Sequence, residues 1–310
     1  MITAKNYAAQ AYRDLMDLSE REFDYPDTNE ELVGMAELIK EAVHFALPDN
    51  GRFFDSDLSS LKDNELNLPF PLITLEYFVP MLSEDSKAKG HIHVPKRLII
   101  AKELSAEELQ GFLPASRSSD FDTSKGGIYL TTIISAKDLS GDYWAPDGIL
   151  VLIPKVSDPK TEKFTFFCLP SIRDSWENTW SKLPDPFGEM NENAKSECYV
   201  LAHFIEALLC TNVKSEVLHE ASPANAKRIR QGKLPIHETH CLTLVLPGED
   251  KQPSIRLDAN SVMTKNGVRQ HLRRGHIRRL PSGKRTWVSS CVVGSGALGV
   301  IEKQYVCTPA

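Results

Sequence analysis

Two histidines and a set of arginines near the C-terminus have residue types and spacing suited to chemistry on a phosphate. An imidazole acts as a general acid or base near neutral pH, and a guanidinium stabilises the extra negative charge of a phosphodiester transition state. The pattern therefore favours either metal-independent cleavage of RNA or plain binding of RNA phosphates. The residues concerned are His271, Arg273, Arg274, His276 and Arg278.

Cleavage by the histidine pair requires both imidazoles on one side of their strand. Because residues an odd number of positions apart face opposite ways in a regular strand, His271 and His276 would be separated. A glycine inside a strand often marks a bulge, and Gly275 lies between them. The cleavage hypothesis therefore predicts an irregular backbone at Gly275, with both histidines on the same side of the hairpin.

A β-hairpin is predicted to carry these residues, with its first strand over 268–280 and its second strand from Arg285. Pro281 and Gly283 suit the turn, because proline fixes φ and glycine tolerates positive φ. Residues 259–301 contain no Asp or Glu, although the whole chain has a formal charge of −6. Such a local basic element predicts contact with RNA or with an acidic partner. The predicted contact residues are Arg269, Arg273, Arg274, Arg278, Arg279, Lys284, Arg285 and Trp287.

A second basic cluster precedes the hairpin in the chain. It consists of Lys227, Arg228, Arg230 and Lys233. If it lies close to the hairpin, it extends one surface that follows an RNA backbone. The alternative is a solvated helix end and turn, and the sequence leaves both interpretations open.

Other histidines do not form a convincing metal site. His237 and His240 lie near Cys241, and His91 alternates with His93. Neither pair has a carboxylate or thiolate partner at a spacing typical of metal ligands. We therefore expect these histidines to be hydrogen-bonded within the protein or exposed to solvent. Nucleotide-binding loops and hydrolase motifs are also absent from the sequence, and no metal or cofactor is predicted.

The composition favours a soluble cytoplasmic protein. The six cysteines contain no C-x-x-C pair, which suggests reduced thiols. The first residues lack the pattern of a secretory signal, and no apolar run reaches the length of a membrane span.

The spacing of apolar residues predicts an α+β fold. It comprises N-terminal helices, a central and mainly antiparallel sheet, a buried helix and the C-terminal basic β-hairpin. Two regions are expected, 1–190 with the helices and sheet, and 191–310 with the buried helix and hairpin. The predicted helices cover 3–20, 29–46 and 197–211, with capping boxes at Thr28/Glu31 and Ser105/Glu108, and 171–195 is predicted as a loop or short helical linker.

The C-terminal segment resembles part of a known protein family. His271-Leu-Arg-Arg-Gly-His276, a short turn, and a Trp-containing strand that ends in Val292-Val-Gly294 are similar to the tail of a group of phage and mobile-element proteins. That family includes an anti-CRISPR protein acting against type V-A CRISPR nucleases. The stretch from Arg228 to Pro235 is similar to a segment upstream of the tail in related phage proteins. Where the family commonly has an aromatic residue after the second histidine, this chain has Ile277.

The resemblance implies a regulator that lowers production of a host protein. It would recognise a nascent peptide at the ribosome through region 1–190 and trigger loss of the encoding mRNA. The basic hairpin would then face RNA or the ribosome. Two alternatives stay open: a ribonuclease that uses His271 and His276, and a protein-binding inhibitor module without RNA affinity.

Overall fold

The computed structural model describes residues 5–21, 23, 27–53, 66–80, 95–113, 123–138, 141–155, 165–169, 181, 185–244, 269–273, 276–288, 291–293 and 295–300. The chain forms two compact units. The first unit comprises residues 1–53, 58–205 and 216–241, and the second comprises 54–57, 206–215 and 242–310.

Helices and strands both contribute to the fold. The described helices are α1 (Tyr7–Ser19), α2 (Asp27–Glu41), α3 (Ala106–Phe112), α4 (Pro186–Leu208) and α5 (Asn225–Arg230), with a 3-10 turn at Asp49–Gly51. The described strands are β1 (Val43–Ala46), β2 (Leu72–Phe78), β3 (Lys96–Leu104), β4 (Gly127–Asp138), β5 (Gly141–Pro154), β6 (Thr165–Cys168), β7 (Val213–His219), β8 (Thr239–Leu244), β9 (Arg269–Arg273), β10 (His276–Arg279), β11 (Arg285–Val288), β12 (Cys291–Val293) and β13 (Ser295–Val300). None of the described helices is both long and apolar enough to cross a membrane.

One eight-stranded sheet has the order β6-β5-β4-β3-β2-β1-β8-β7. From β2 to β6, each strand pairs antiparallel with the next one in the chain. Strand β1 pairs parallel with both β2 and β8. The predicted α+β class with a mainly antiparallel sheet is therefore confirmed.

Helices cover both faces of this sheet. Glu76 of β2 accepts hydrogen bonds from the backbone N–H groups of Lys5 (2.7 Å) and Tyr7 (2.8 Å), at the start of α1. The next residue, Tyr77, donates its hydroxyl hydrogen to Glu197 of α4. Because successive residues of a strand point to opposite faces, α1 and α4 lie on opposite sides of β2.

The predicted end of the second helix is wrong. Helix α2 ends at Glu41, and Val43–Ala46 forms β1 instead of a further helical turn. Val43 continues the apolar spacing of the helix, but its β-branched side chain and the aromatic Phe45 suit a buried strand equally well. The helix also begins at Asp27, so Thr28 lies inside its first turn and not at the predicted cap.

Local capping signals explain two other helices. The predicted capping box of α3 is confirmed, because Ser105 and Glu108 exchange hydrogen bonds between side chain and backbone. Helix α4 starts at Pro186, so the last ten residues of the loop or short helical linker predicted for 171–195 are helical and continue into the predicted helix at 197–211. Asp185 accepts a hydrogen bond from the backbone of Gly188, as an N-cap residue does before a proline at the first helical position.

Candidate nucleic-acid interface

The predicted hairpin is present in the second unit. Strands β10 and β11 pair antiparallel, from His276 opposite Val288 to Arg279 opposite Arg285. The turn is closed by a 2.8 Å hydrogen bond from the backbone N–H of Leu280 to the carbonyl of Lys284. Gly283 has φ of 80°, a left-handed conformation that favours glycine. The turn chemistry read from the sequence is therefore confirmed.

The predicted bulge stays a prediction. Strand β9 pairs antiparallel with β12, with Arg273 opposite Cys291, and β10 pairs antiparallel with β11, with His276 opposite Val288. Gly275, where the bulge is predicted, lies between these two pairs and outside the described residues.

Several predicted contact residues lie outside the described part of the chain. Gly275 and Arg274 are outside it entirely. The backbones of Arg269 and Arg273 form part of β9, and the description of these two residues covers the backbone only. The backbones of His271 and His276 belong to β9 and β10, and the placement of their imidazoles stays a prediction.

A short segment after α4 holds the outer edge of β11. The carbonyl of Arg285 accepts a 2.9 Å hydrogen bond from the backbone N–H of Thr211 and a second one from its hydroxyl. The Asn212 side chain accepts from the backbone N–H of Trp287 and donates to its carbonyl, both at 2.8 Å. The backbone N–H and carbonyl groups of Arg285 and Trp287 point away from β10. Residues 211 and 212 therefore extend the ribbon on the outer edge of β11.

Exposed cations cluster at the turn end of the hairpin. Arg278, Arg279 and Lys284 are exposed, and they flank the exposed turn residues 281–283. Arg278 lies opposite Thr286, so Lys284 is its diagonal neighbour on the same face, at about 7–8 Å between Cα atoms. The turn end therefore presents three positive charges that a negatively charged ligand can reach.

Arg285 and Trp287 have a different position from these three cations. Arg285 is only 4% exposed. Its backbone forms an isolated parallel β-bridge with the backbone of Cys210. Burial raises the pKa of the Cys210 thiol to about 11, and the charge of Glu206 adds to this effect. Trp287 is half-buried. Arg285 is thus buried where the other three cations are exposed, and its predicted contact with phosphate stays a prediction.

The second basic cluster lies in the first unit, on and after α5. Lys227, Arg230 and Lys233 are exposed, whereas Arg228 is half-buried. The Arg228 Nε donates to the carbonyl of Leu234 at 2.9 Å, so this arginine closes the turn after the helix. The proposal that this cluster and the hairpin form one surface stays a prediction.

A buried ionic network was missed by sequence reasoning. Glu197 accepts hydrogen bonds from Tyr77 (2.8 Å) and from the guanidinium of Arg97. Asp147 lies close to this pair, where β5 has extra residues opposite β4, and it accepts a hydrogen bond from the backbone of Ile149. Burial raises the pKa of Asp147 to about 8, and the charge of Glu197 adds to the effect. The sequence carries no local signal for this network, because β3, β5 and α4 each contain further charged residues.

A histidine cluster joins β1 to β8 in the first unit. The His44 Nδ1 lies 2.7 Å from the Thr74 hydroxyl, and the rings of His44 and His237 are 4.9 Å apart. Burial lowers the pKa of His44 to about 4, and the neighbouring His237 and His240 add to this effect. His240 contacts the carboxylate of Glu238 at 3.0 Å.

Metal binding finds no support in these histidines. Within the described ranges, no group of three or more His, Cys, Asp or Glu residues could hold a metal ion. His91 and His93 lie outside those ranges.

Comparison of the chain with protein-family models, with curated proteins and with solved structures found no match in any of the three.

Proposed function

We propose that this protein is a phage or mobile-element counter-defence regulator that contacts RNA or the ribosome through its basic hairpin. It would act in the host cytoplasm and lower expression of a host protein, through nascent-peptide recognition and loss of the mRNA. The observation that carries the RNA contact is the group of exposed cations at the hairpin turn, Arg278, Arg279 and Lys284. The link to expression rests on the resemblance of the C-terminal segment.

The hairpin is held in a way that suits a contact surface. Residues 211 and 212 bind the outer edge of β11, so little ordering of the backbone accompanies ligand binding. The acidic remainder of the chain repels nucleic acid, which directs a polyanion to this local site.

A salt titration of RNA binding tests the proposal. The probe is a labelled RNA with one stem and unpaired flanks. Three phosphate contacts predict that the logarithm of the binding constant falls with the logarithm of salt concentration with a slope of about −2 to −3. The Arg278→Ala/Lys284→Ala variant should reduce the slope to about −1.

A matched control is available in the helices of the first unit. Arg13→Ala/Lys40→Ala also removes one arginine and one lysine, both more than half exposed, and should keep the wild-type slope. No RNA affinity at low salt would refute the RNA contact and favour the protein-binding module. Cleaved RNA on a gel, with cleavage lost in His276→Ala, would instead support the ribonuclease alternative.

A further inference from the structure

We infer that the hairpin binds the phosphates of paired RNA in preference to unpaired RNA. This inference rests on the proposed RNA contact and names the form of RNA that this same site takes.

None of the exposed residues of the described hairpin turn carries an aromatic ring on which a base could stack. Trp287 is the only Phe, Tyr or Trp in residues 269–300. It is half-buried, and its backbone is fixed through both hydrogen bonds to Asn212. Proteins that bind unpaired strands combine a basic groove with exposed aromatic side chains that stack on successive bases. The hairpin supplies the charge without the stacking surface.

The exposed chemistry at the turn suits phosphates instead. Arg278, Arg279 and Lys284 are the exposed charged side chains there, and the remaining exposed positions are Pro281, Ser282 and Gly283. Double-stranded RNA is recognised mainly by its shape and by contacts to phosphates and 2′-hydroxyl groups. Such contacts require cations at fixed positions, and they do not require access to base edges.

The rigidity of the hairpin adds to this preference. Cross-strand pairing fixes one side of the ribbon, and the hydrogen bonds of Thr211 and Asn212 fix the other. Arg278 and Lys284 thus start from fixed backbone positions about 7–8 Å apart. A helix offers its phosphates in a regular array, whereas an unpaired strand must lose conformational freedom to match the same cations.

A competition experiment tests the inference on the full-length protein. A labelled RNA stem-loop is displaced by unlabelled paired RNA or by unpaired RNA of equal length and charge, at one salt concentration. We expect the paired competitor to be about tenfold more effective, with a steeper salt dependence per contact for the paired form. Arg278→Ala/Lys284→Ala should lose this difference, and Arg13→Ala/Lys40→Ala should retain it.

The outcomes separate this inference from the proposed function. Equal or tighter binding of the unpaired competitor would overturn the preference for paired RNA while RNA contact itself would stand. Binding of neither RNA would refute both. A preference for paired RNA that survives in Arg278→Ala/Lys284→Ala would also overturn the inference, because the turn cations would then not be its source.

Discussion

Protonation of His44 should destabilise the first unit as the pH falls. The imidazole is 5% exposed and faces Thr74, His237 and His240, with Glu238 beside the last of these. Burial lowers the pKa of His44 to about 4, against about 6.5 in the unfolded chain. This difference corresponds to ~3 kcal/mol of free energy of unfolding.

The direction of the effect follows from proton binding. Between about pH 6.5 and about pH 4, the unfolded chain binds a proton at His44 that the folded chain does not. The contribution of His44 to the free energy of unfolding should therefore be constant above this window, fall through it, and level off below it. Burial also lowers the pKa of His203 to about 4. His203 therefore contributes a similar fall in the free energy of unfolding to the wild type.

The variant His44→Asn isolates the contribution of His44. Asparagine retains a polar N–H near Thr74 but does not titrate. Between neutral pH and pH ~4, the free energy of unfolding of the variant should therefore change by ~3 kcal/mol relative to that of the wild type, in the direction of greater stability at low pH. Urea unfolding followed by far-UV circular dichroism at a series of pH values measures this. The exposed His219 provides a matched histidine-to-asparagine control. A pH dependence in His44→Asn as large as that of the wild type would refute the assignment.

Two further substitutions test the contacts that hold the elements in place. Glu197→Ala should lower the free energy of unfolding by ~3–5 kcal/mol, because it leaves half-buried Arg97 without its ion-pair partner and buried Tyr77 without its acceptor; a loss below ~1 kcal/mol in urea unfolding would contradict this. Asn212→Ala removes both side-chain hydrogen bonds to the Trp287 backbone, so hydrogen exchange of the Trp287 amide should accelerate, corresponding to ~1–3 kcal/mol; unchanged exchange there would show that the edge of β11 is held by other contacts.

A control for the first of these substitutions lies on the same helix. Glu192 is exposed and pairs with Lys195. Because surface ion pairs contribute little, Glu192→Ala should change the free energy of unfolding by less than ~1 kcal/mol.

The features predictable from the sequence are those encoded by neighbouring residues. Pro281 and Gly283 specify a turn within a few positions, and the Ser105/Glu108 box specifies a helix start. The α+β class follows from closely spaced strands without intervening helices. The parallel pairing of β1 with β2 and β8 could not be predicted, because it joins segments far apart in the chain and leaves no local signal.

The positive charge of the candidate site was predictable from the sequence, but which of its arginines are exposed and which are buried was not. Arg278 and Arg285 are both arginines of the hairpin, yet the first is exposed and the second is buried beside Cys210. The segment beside Arg285 includes residues 211 and 212, which bind the backbone edge of β11 from more than seventy positions away. Likewise, Glu197 is one of several charged residues of α4, and its partner Arg97 belongs to another element a hundred residues earlier.

The position of β8 beside β1 sets an order for folding during synthesis. His44 pairs with Thr239, and Phe45 pairs with His240, so β1 lacks this neighbour until about 195 further residues have been made. At typical rates of translation this takes ~10–40 s. During that interval the edge of β1 that β8 later covers stays unpaired, and an unpaired strand edge is a template for pairing with other strands. The first unit therefore completes its sheet only after most of the chain has been translated.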